Sequence, residues 1–268
     1  MPQKLVFIKA FDLDDAWFQC INTLLDVGVK YTIGKGGSFE GGQRLEFDFV
    51  TIQITNPGHR PIIPLMPEGA GLPAPTDMEY IEKTYLPYLL TDQKKPGEDY
   101  TYGERLTNPK IKLEEMVNGQ KQFKEYVINI NPVEESIKKH LLCLTAEEYS
   151  ETNQATMEIG QPSDIILHDP PCLRIVDTRV RRDGDAYKLH FYLYFRSWDL
   201  WGGFPSNLAG LQLMKEYVVS RLNDELQKSG SQKQIEDGEI IATSKGLHLY
   251  NYVWELAELR TQKKLKNK

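Results

Sequence analysis

Cys172 is the residue of this chain whose neighbours best suit it for chemistry. It follows Asp169-Pro170-Pro171, and the prolines fix φ and remove backbone donors, so the thiol lies at the rigid start of a predicted strand. The thiolate is the reactive form of cysteine, and nearby positive charge lowers the pKa of a thiol. Arg174, Arg179 and Arg196 are the nearby cations. The segment therefore predicts a nucleophilic cysteine, although a Pro-Pro-Cys sequence alone is more often structural.

The composition predicts a cytoplasmic protein with a sizeable core. Of the 268 residues 40% are hydrophobic, and we expect a single domain over 1–268. No leader pattern opens the chain, and no apolar run reaches the roughly 18 residues of a membrane span. Cys20, Cys143 and Cys172 are spaced too irregularly for a disulfide framework or a zinc ribbon, so no metal is expected. A net charge of −6 argues against a protein that coats nucleic acid.

The hydrophobic pattern indicates an α+β fold. Helices are predicted over 12–28, 76–90, 111–126, from 131 and over 205–222, and strands over 155–160, 173–181, 187–195 and 238–243. The alternation of apolar residues over 44–55 shifts by one position near Phe49-Val50, which predicts one strand with a β-bulge. Six prolines make residues 56–76 a long loop or lid, and the lysines of residues 260–268 predict a solvated tail.

Four motifs, in this order along the chain, resemble the thymidylate synthase family, and the short archaeal-type members in particular. They are Tyr102-Gly103-Glu104-Arg105, Pro170-Pro171-Cys172, Arg196-Ser197-Trp198-Asp199 followed by Gly203-Phe204-Pro205-Ser206-Asn207-Leu208-Ala209, and His248-Leu249-Tyr250. The match is specific over about 169–252 and thinner over about 12–110. The resemblance implies a bulged mixed or antiparallel sheet that helices cover, with a sheet face used for dimerisation.

The resemblance also implies a role for each motif residue. Cys172 would add to C6 of a pyrimidine, so that C5 can attack the one-carbon unit of 5,10-methylenetetrahydrofolate or a related methylene-tetrahydropterin. Asn207 would read the uracil edge, since its amide offers a donor to O4 and an acceptor to N3–H. The other assignments are phosphate binding by Arg196 and Ser197, orientation of the base region by Asp199, hydrogen bonds to the sugar hydroxyl by His248 and Tyr250, and a part in removing the C5 proton for Tyr102.

Several positions depart from the family pattern. Leu173 stands where most members have a histidine, and Asp177 where a glutamine is usual. Asn153-Gln154 replaces an arginine pair that binds phosphate across the dimer in many members, so other cations are expected to contribute. Those cations are Lys35 and Arg44, in or beside a glycine-rich loop, and Arg179. The catalytic glutamate of the family has three candidates here, Glu68, Glu79 and Glu82. Trp198 could line a ligand cleft or pack in the core or at the dimer interface.

The predicted reaction is transfer of a one-carbon unit to C5 of a pyrimidine nucleoside monophosphate, dUMP to dTMP, by a homodimer that uses a folate-type cosubstrate. Full-length members close the pocket with an apolar C-terminal tail, whereas here eighteen residues follow Tyr250 and they end in lysines. Without closure, water would quench the methylene intermediate, which makes a 5-hydroxymethylase of dUMP, dCMP or CMP the alternative. The loop 56–76 could supply closure instead. A third hypothesis is a catalytically inert relative that binds nucleotide or RNA. The retention of Cys172 beside Arg196 is evidence against it.

Overall fold

The computed structural model describes residues 3–35, 39–67, 69, 71–118 and 120–266, which form an α+β fold. Its strands are β1 (Leu5–Ala10), β2 (Val29–Thr32), β3 (Gln43–Glu46), β4 (Phe49–Ile54), β5 (Lys110–Val117), β6 (Gln120–Val127), β7 (Thr156–Glu158), β8 (Leu173–Asp183), β9 (Ala186–Phe195), β10 (Trp198–Asp199), β11 (Ile235–Ser244) and β12 (Leu247–Tyr250). Its helices are α1 (Leu13–Val27), α2 (Met78–Tyr80), α3 (Leu86–Leu90), α4 (Tyr102–Thr107), α5 (Pro132–Leu144), α6 (Gly203–Lys228) and α7 (Trp254–Thr261). A π-helical turn (Ile81–Tyr85) joins α2 to α3, and short 3-10 turns cover Pro162–Ile166 and Asn251–Val253.

A six-stranded mixed sheet in the order β1-β4-β11-β9-β8-β7 forms the centre of the fold. β1 is parallel to β4 and β11 is parallel to β9, whereas the other neighbours are antiparallel. The register shifts in β11 between Asp237 and Ile240, and again where Leu173 starts β8. The predicted bulged mixed sheet is therefore confirmed.

Helices α1, α5 and α6 pack on this sheet and build the core. Asp12 caps α1 by accepting a hydrogen bond from the backbone N–H of Asp15 at 2.9 Å. Trp17, Ile21 and Leu24 recur on one face of α1 and are fully buried. Each such side chain stabilises the fold by roughly 1.5–3 kcal/mol through the hydrophobic effect.

A second sheet, in the order β10-β12-β3-β2, carries two of the sequence motifs. β10 and β12 are parallel and pair Asp199 with His248. The prediction of one bulged strand over 44–55 is wrong, because β3 belongs to this second sheet and β4 to the central one. Phe47, between them, donates its N–H to Leu247 at 3.0 Å, so the change of parity marks a change of sheet.

The predicted helix over 111–126 is also wrong. Here β5 and β6 form an antiparallel hairpin whose pairs run from Lys110 with Val127 to Val117 with Gln120. Lys121 pairs with Glu114 at 2.7 Å across the two strands. Alternating charges in a polar segment suit either cross-strand pairs or pairs along a helix, so charge alone could not separate the two structures.

The remaining predicted helices and strands lie near their predicted bounds. The strand pair β8–β9 turns at Gly184-Asp185, and α6 extends from Gly203 to Lys228, beyond the predicted 205–222. Lys263 and Lys266 in the tail contact Asp26 of α1, while Lys264 stays exposed. In the part of the chain that the structure describes, every helix is too short or too polar to cross a bilayer.

Candidate functional site

Cys172 lies immediately before β8, next to the end of β9. Its carbonyl oxygen accepts a hydrogen bond from the backbone N–H of Arg196 at 2.8 Å, which joins two motifs that are distant in sequence. Burial raises the pKa of the thiol, as does Asp169, and this outweighs the lowering by Arg196 and Arg174. The expected net lowering of the thiol pKa is therefore not found. The guanidinium of Arg179 pairs instead with Glu151 at 2.6 Å.

Arg196 holds the turn that precedes the cysteine. Its Nε donates to the carbonyl oxygens of Pro170 and Pro171, each at 3.2 Å, and its Nη2 pairs with Asp169 at 3.2 Å. Both prolines lack a backbone N–H, so the turn depends on such side-chain contacts for its order. The guanidinium is partly exposed beside the thiol, where it can meet a negatively charged group.

A buried ion-pair cluster lies behind the cysteine. Asp164 accepts hydrogen bonds from Arg105 and Arg174, both at 3.0 Å, and from the backbone N–H of Gln161 at 2.7 Å. The pairing fixes Arg174, whose charge acts on the Cys172 thiol. Arg105 belongs to the Tyr-Gly-x-x motif, so the cluster ties that motif to β8.

Tyr102 approaches the cysteine from α4. Its hydroxyl accepts a hydrogen bond from the N–H of Leu173 at 3.2 Å, one residue after Cys172. A Cβ on Gly103 would lie 2.2 Å from the carbonyl oxygen of Tyr88, so glycine permits the approach of α4 to α3. Burial raises the pKa of Tyr102 well above its usual range, and the phenol is therefore neutral.

Two further tyrosines, Tyr85 and Tyr100, lie near Cys172 and were not predicted. The pKa values of both are raised, first by burial, and Cys172 adds to the shift in each case, which indicates phenols close to the thiol. A Cβ on Gly210 of α6 would lie 2.2 Å from Cδ1 of Tyr85, so this glycine makes room for the ring. Tyrosine is as common in cores as in sites, and neither residue belongs to a motif that could have revealed it.

Asp199 and Asn207 lie at the start of α6. The Asp199 carboxylate accepts hydrogen bonds from the N–H groups of Trp201, Gly202 and Gly203 at 3.2, 3.0 and 2.9 Å, which fixes the entry to the helix. Asn207, one turn further on, accepts through Oδ1 from the indole Nε1 of Trp198 at 2.9 Å. Its Nδ2 donates to the hydroxyl of Tyr85.

His248 and Tyr250 reach the same region from β12. The Nδ1 of His248 contacts the carbonyl oxygen of Gly246 at 2.8 Å, and its Nε2 is buried with no hydrogen-bond partner among the described residues. Burial lowers the pKa of His248, so the ring is neutral, Nδ1 donates to the carbonyl and Nε2 is left as an acceptor. Tyr250 packs edge-on against the histidine at 4.7 Å. Ser197 is half-buried between these motifs.

A cavity of about 580 Å³ opens beside Asn207. Tyr80 and Tyr85 supply aromatic surface, and Gly202 and Gly203 leave a flat backbone edge that is free of side chains. The end of the proline-rich loop, residues 74–76, forms part of the wall. The size is that of a typical small-molecule site.

The remaining candidates lie in other places. Lys35 and Glu82 are exposed, Glu79 is exposed and pairs with Lys83, Arg44 pairs with Glu46 at 2.7 Å, and Glu68 lies outside the described residues. Asp177 accepts a hydrogen bond from Thr156 at 2.8 Å. Together with Arg179 and Asn153 it lines a shallow pocket on the central sheet. The structure thus brings the four motifs together, and those of these candidates that it describes lie outside the cavity beside Asn207.

Comparisons with known proteins agree with this arrangement, although no family model matches the chain. Two proteins named "Putative thymidylate synthase" are similar to this chain. The protein from Methanosarcina mazei is 27% identical to it over 255 residues, and the protein from Methanosarcina acetivorans is 26% identical over 252 residues. Each match covers 94% of this chain and 92% of the relative. The fold is similar to thermostable thymidylate synthase A from Bacillus subtilis, with a TM-score of 0.57 at 14% identity over 96% of this chain and 86% of that one. The chain therefore resembles the thymidylate synthase family along most of its length and has that family's fold, as its motifs predict.

Proposed function

We propose that this chain transfers a one-carbon unit to C5 of a pyrimidine nucleotide, with dUMP as the acceptor and dTMP as the product. The observation that carries the proposal is that direct contacts join the motifs. The carbonyl oxygen of Cys172 accepts a hydrogen bond from the backbone N–H of Arg196, and the N–H of the next residue donates to the hydroxyl of Tyr102. Tyr85 connects Asn207 to this group, since its hydroxyl contacts Asn207 and Cys172 adds to the rise of its pKa. The named relatives support the same class of reaction.

The cavity beside Asn207 suits a folate-type cosubstrate. Its two tyrosine rings and glycine edge could hold a flat pterin ring, and its volume of about 580 Å³ lies within the usual range for such ligands. When bound, 5,10-methylenetetrahydrofolate would supply the one-carbon unit and the hydride that reduces it to a methyl group. Residues 74–76 of the proline-rich loop are placed to limit the access of water to this cavity.

The residues of the chain would divide the reaction among them. The Cys172 sulfur would form a bond to C6 of the base and release it once C5 carries its methyl group. Arg196 would bind the 5′-phosphate and favour the thiolate, because a guanidinium pairs with both anions. Neutral Tyr102 would orient the water that accepts the C5 proton. The Nε2 of His248, which has no partner in the described part of the chain, would accept a hydrogen bond from the sugar hydroxyl.

A 5-hydroxymethylase is the second candidate, and the position of the C-terminal segment favours it. Residues 263–266 lie against α1, where Lys263 and Lys266 contact Asp26. Among the described residues, those that line the cavity beside Asn207 come from 74–85 and 202–207 and not from this segment. Among the described residues, closure would then rest on residues 74–76 of the proline-rich loop, and incomplete closure would let water add to the methylene carbon.

Product analysis separates these functions. The protein is mixed with dUMP and methylenetetrahydrofolate, and the mass of the nucleotide and the formation of dihydrofolate are measured. We expect dTMP and dihydrofolate to form in equal amounts. A hydroxymethyl product without dihydrofolate would establish the second candidate, and turnover of dCMP or CMP in place of dUMP would contradict the role of Asn207. No product, and no adduct with a substrate analogue, would leave the inert nucleotide-binding function.

We further propose that the protein is a homodimer that associates through the open face of the central sheet. The strands β8 and β9 alternate buried with half-buried residues, and the half-buried set includes Asp177, Arg179 and Tyr192. Light scattering on the purified protein should therefore give twice the chain mass of 30.8 kDa. A monomer over the micromolar range would contradict this part of the proposal.

A further inference from the structure

Trp198 occupies a position from which it can control how Asn207 presents its amide. Its ring is buried between Phe195, stacked at 3.8 Å and 5°, and Phe204 at 4.6 Å. Its backbone N–H donates to the carbonyl oxygen of Gly246 at 2.9 Å, immediately before β12. The indole is therefore held on both faces and through the main chain, and its Nε1 has one fixed direction, toward Asn207.

The chemistry of the two partners on Asn207 is not equivalent. An indole N–H is only a donor, so the atom of Asn207 that faces Trp198 at 2.9 Å must be the carbonyl Oδ1. A flipped amide would place an N–H against an N–H. The hydroxyl of Tyr85, in contrast, is both a donor and an acceptor and can rotate to serve either orientation of the amide.

The orientation of this amide decides which base the site can read. With Oδ1 held by Trp198, its second lone pair can accept from an N3–H, and the second hydrogen of Nδ2 can donate to an O4. Uracil presents that pair of groups, whereas cytosine presents the reverse, an N3 acceptor and an N4 donor. We propose that the indole N–H of Trp198 fixes the Asn207 amide in one orientation and thereby makes the pocket select uracil over cytosine nucleotides.

This inference rests on the proposed function and adds a specificity-determining residue to it. Trp198 is a positioning residue, because it acts on the base only through Asn207. A residue that merely packs the core would affect both nucleotides alike. The ratio of the two affinities is therefore the readout that separates positioning from packing.

The test compares the Kd values of dUMP and dCMP, measured by calorimetry, for the wild type and three variants. In Trp198→Phe the ring remains between its aromatic neighbours but the N–H is gone, and the preference for dUMP should fall roughly tenfold, the equivalent of one lost hydrogen bond. Tyr85→Phe should weaken the binding of both nucleotides and leave their ratio within about twofold, since the hydroxyl serves either orientation. Trp201→Phe removes an indole three positions away and should leave the ratio unchanged.

The outcomes are distinguishable. A wild type that binds neither nucleotide would overturn the proposed function itself. A wild type that prefers dUMP, with a folded Trp198→Phe variant of unchanged preference, would overturn only the role of Trp198. A loss of preference in Tyr85→Phe but not in Trp198→Phe would also overturn it. Circular dichroism and thermal unfolding establish that each variant is folded. Because Tyr85 and Trp198 lie in different elements, a folding defect in one of these two variants does not imply a defect in the other.

Discussion

Replacing Tyr102 by phenylalanine should separate the structural from the catalytic part of the site. The hydroxyl of Tyr102 accepts the N–H of Leu173 at 3.2 Å, and Leu173 is fully buried. The variant leaves this N–H without an acceptor, which should lower the free energy of unfolding by about 1–3 kcal/mol. Urea denaturation measures this loss. An unchanged unfolding midpoint would contradict the hydrogen bond.

The same substitution should slow the removal of the C5 proton. If the phenol orients the proton acceptor, the release of tritium from C5-labelled dUMP should slow by about 10²- to 10⁴-fold, the usual contribution of a positioned acid–base group. Tyr100→Phe is the matched control, because the Tyr100 ring stacks on Tyr102 at 6.2 Å and its hydroxyl does not contact Leu173. A Tyr102→Phe variant that loses stability but releases tritium as fast as the wild type would refute the catalytic role.

Three further predictions concern charge. Arg196→Met should raise the midpoint pH at which iodoacetamide alkylates Cys172, because the guanidinium opposes the effect of burial on the thiol pKa. A lower midpoint pH would contradict this. Burial lowers the pKa of His140 from 6.5 to about 4, so between pH 6.5 and pH 4 the unfolded chain binds a proton that the folded chain does not. The free energy of unfolding should therefore fall by on the order of 3 kcal/mol as the pH drops across that range. His140→Gln should flatten this dependence of the free energy of unfolding on pH, measured by urea unfolding. Asp164→Asn should lower the free energy of unfolding by about 3–5 kcal/mol, because it leaves two guanidinium groups without their carboxylate. Asp183→Asn, which removes an exposed ion pair, should show no measurable change.

The sequence predicted those parts of the fold in which one local signal dominates. The helix over 12–28, with its buried apolar face, and the strands over 173–181 and 187–195 are of this kind. The hairpin of β5 and β6 was missed because its charges fit two kinds of pairing. The step from β3 to β4 was missed because a parity change looks the same whether a strand bulges or moves to another sheet.

The site was predictable where residues form a motif and not where the fold alone assembles them. The meeting of Cys172 with Arg196 followed from the motif order, but the raised pKa of the thiol depends on burial, which neighbouring arginines in the sequence do not report. Tyr85 reaches Asn207 from a π-helical turn opposite Gly210, and no spacing rule predicts such a turn. A tyrosine and a distant glycine become informative only once α3 and α6 are packed together.

The central claim is that Cys172 attacks the pyrimidine, and trapping the covalent complex tests it most directly. The protein is incubated with 5-fluoro-dUMP and methylenetetrahydrofolate, denatured, digested and weighed by mass spectrometry. Both ligands should stay attached to the peptide that contains Cys172, and Cys172→Ala should form no complex. A wild-type protein that binds the analogue without forming a bond, or an adduct that persists in Cys172→Ala, would contradict it.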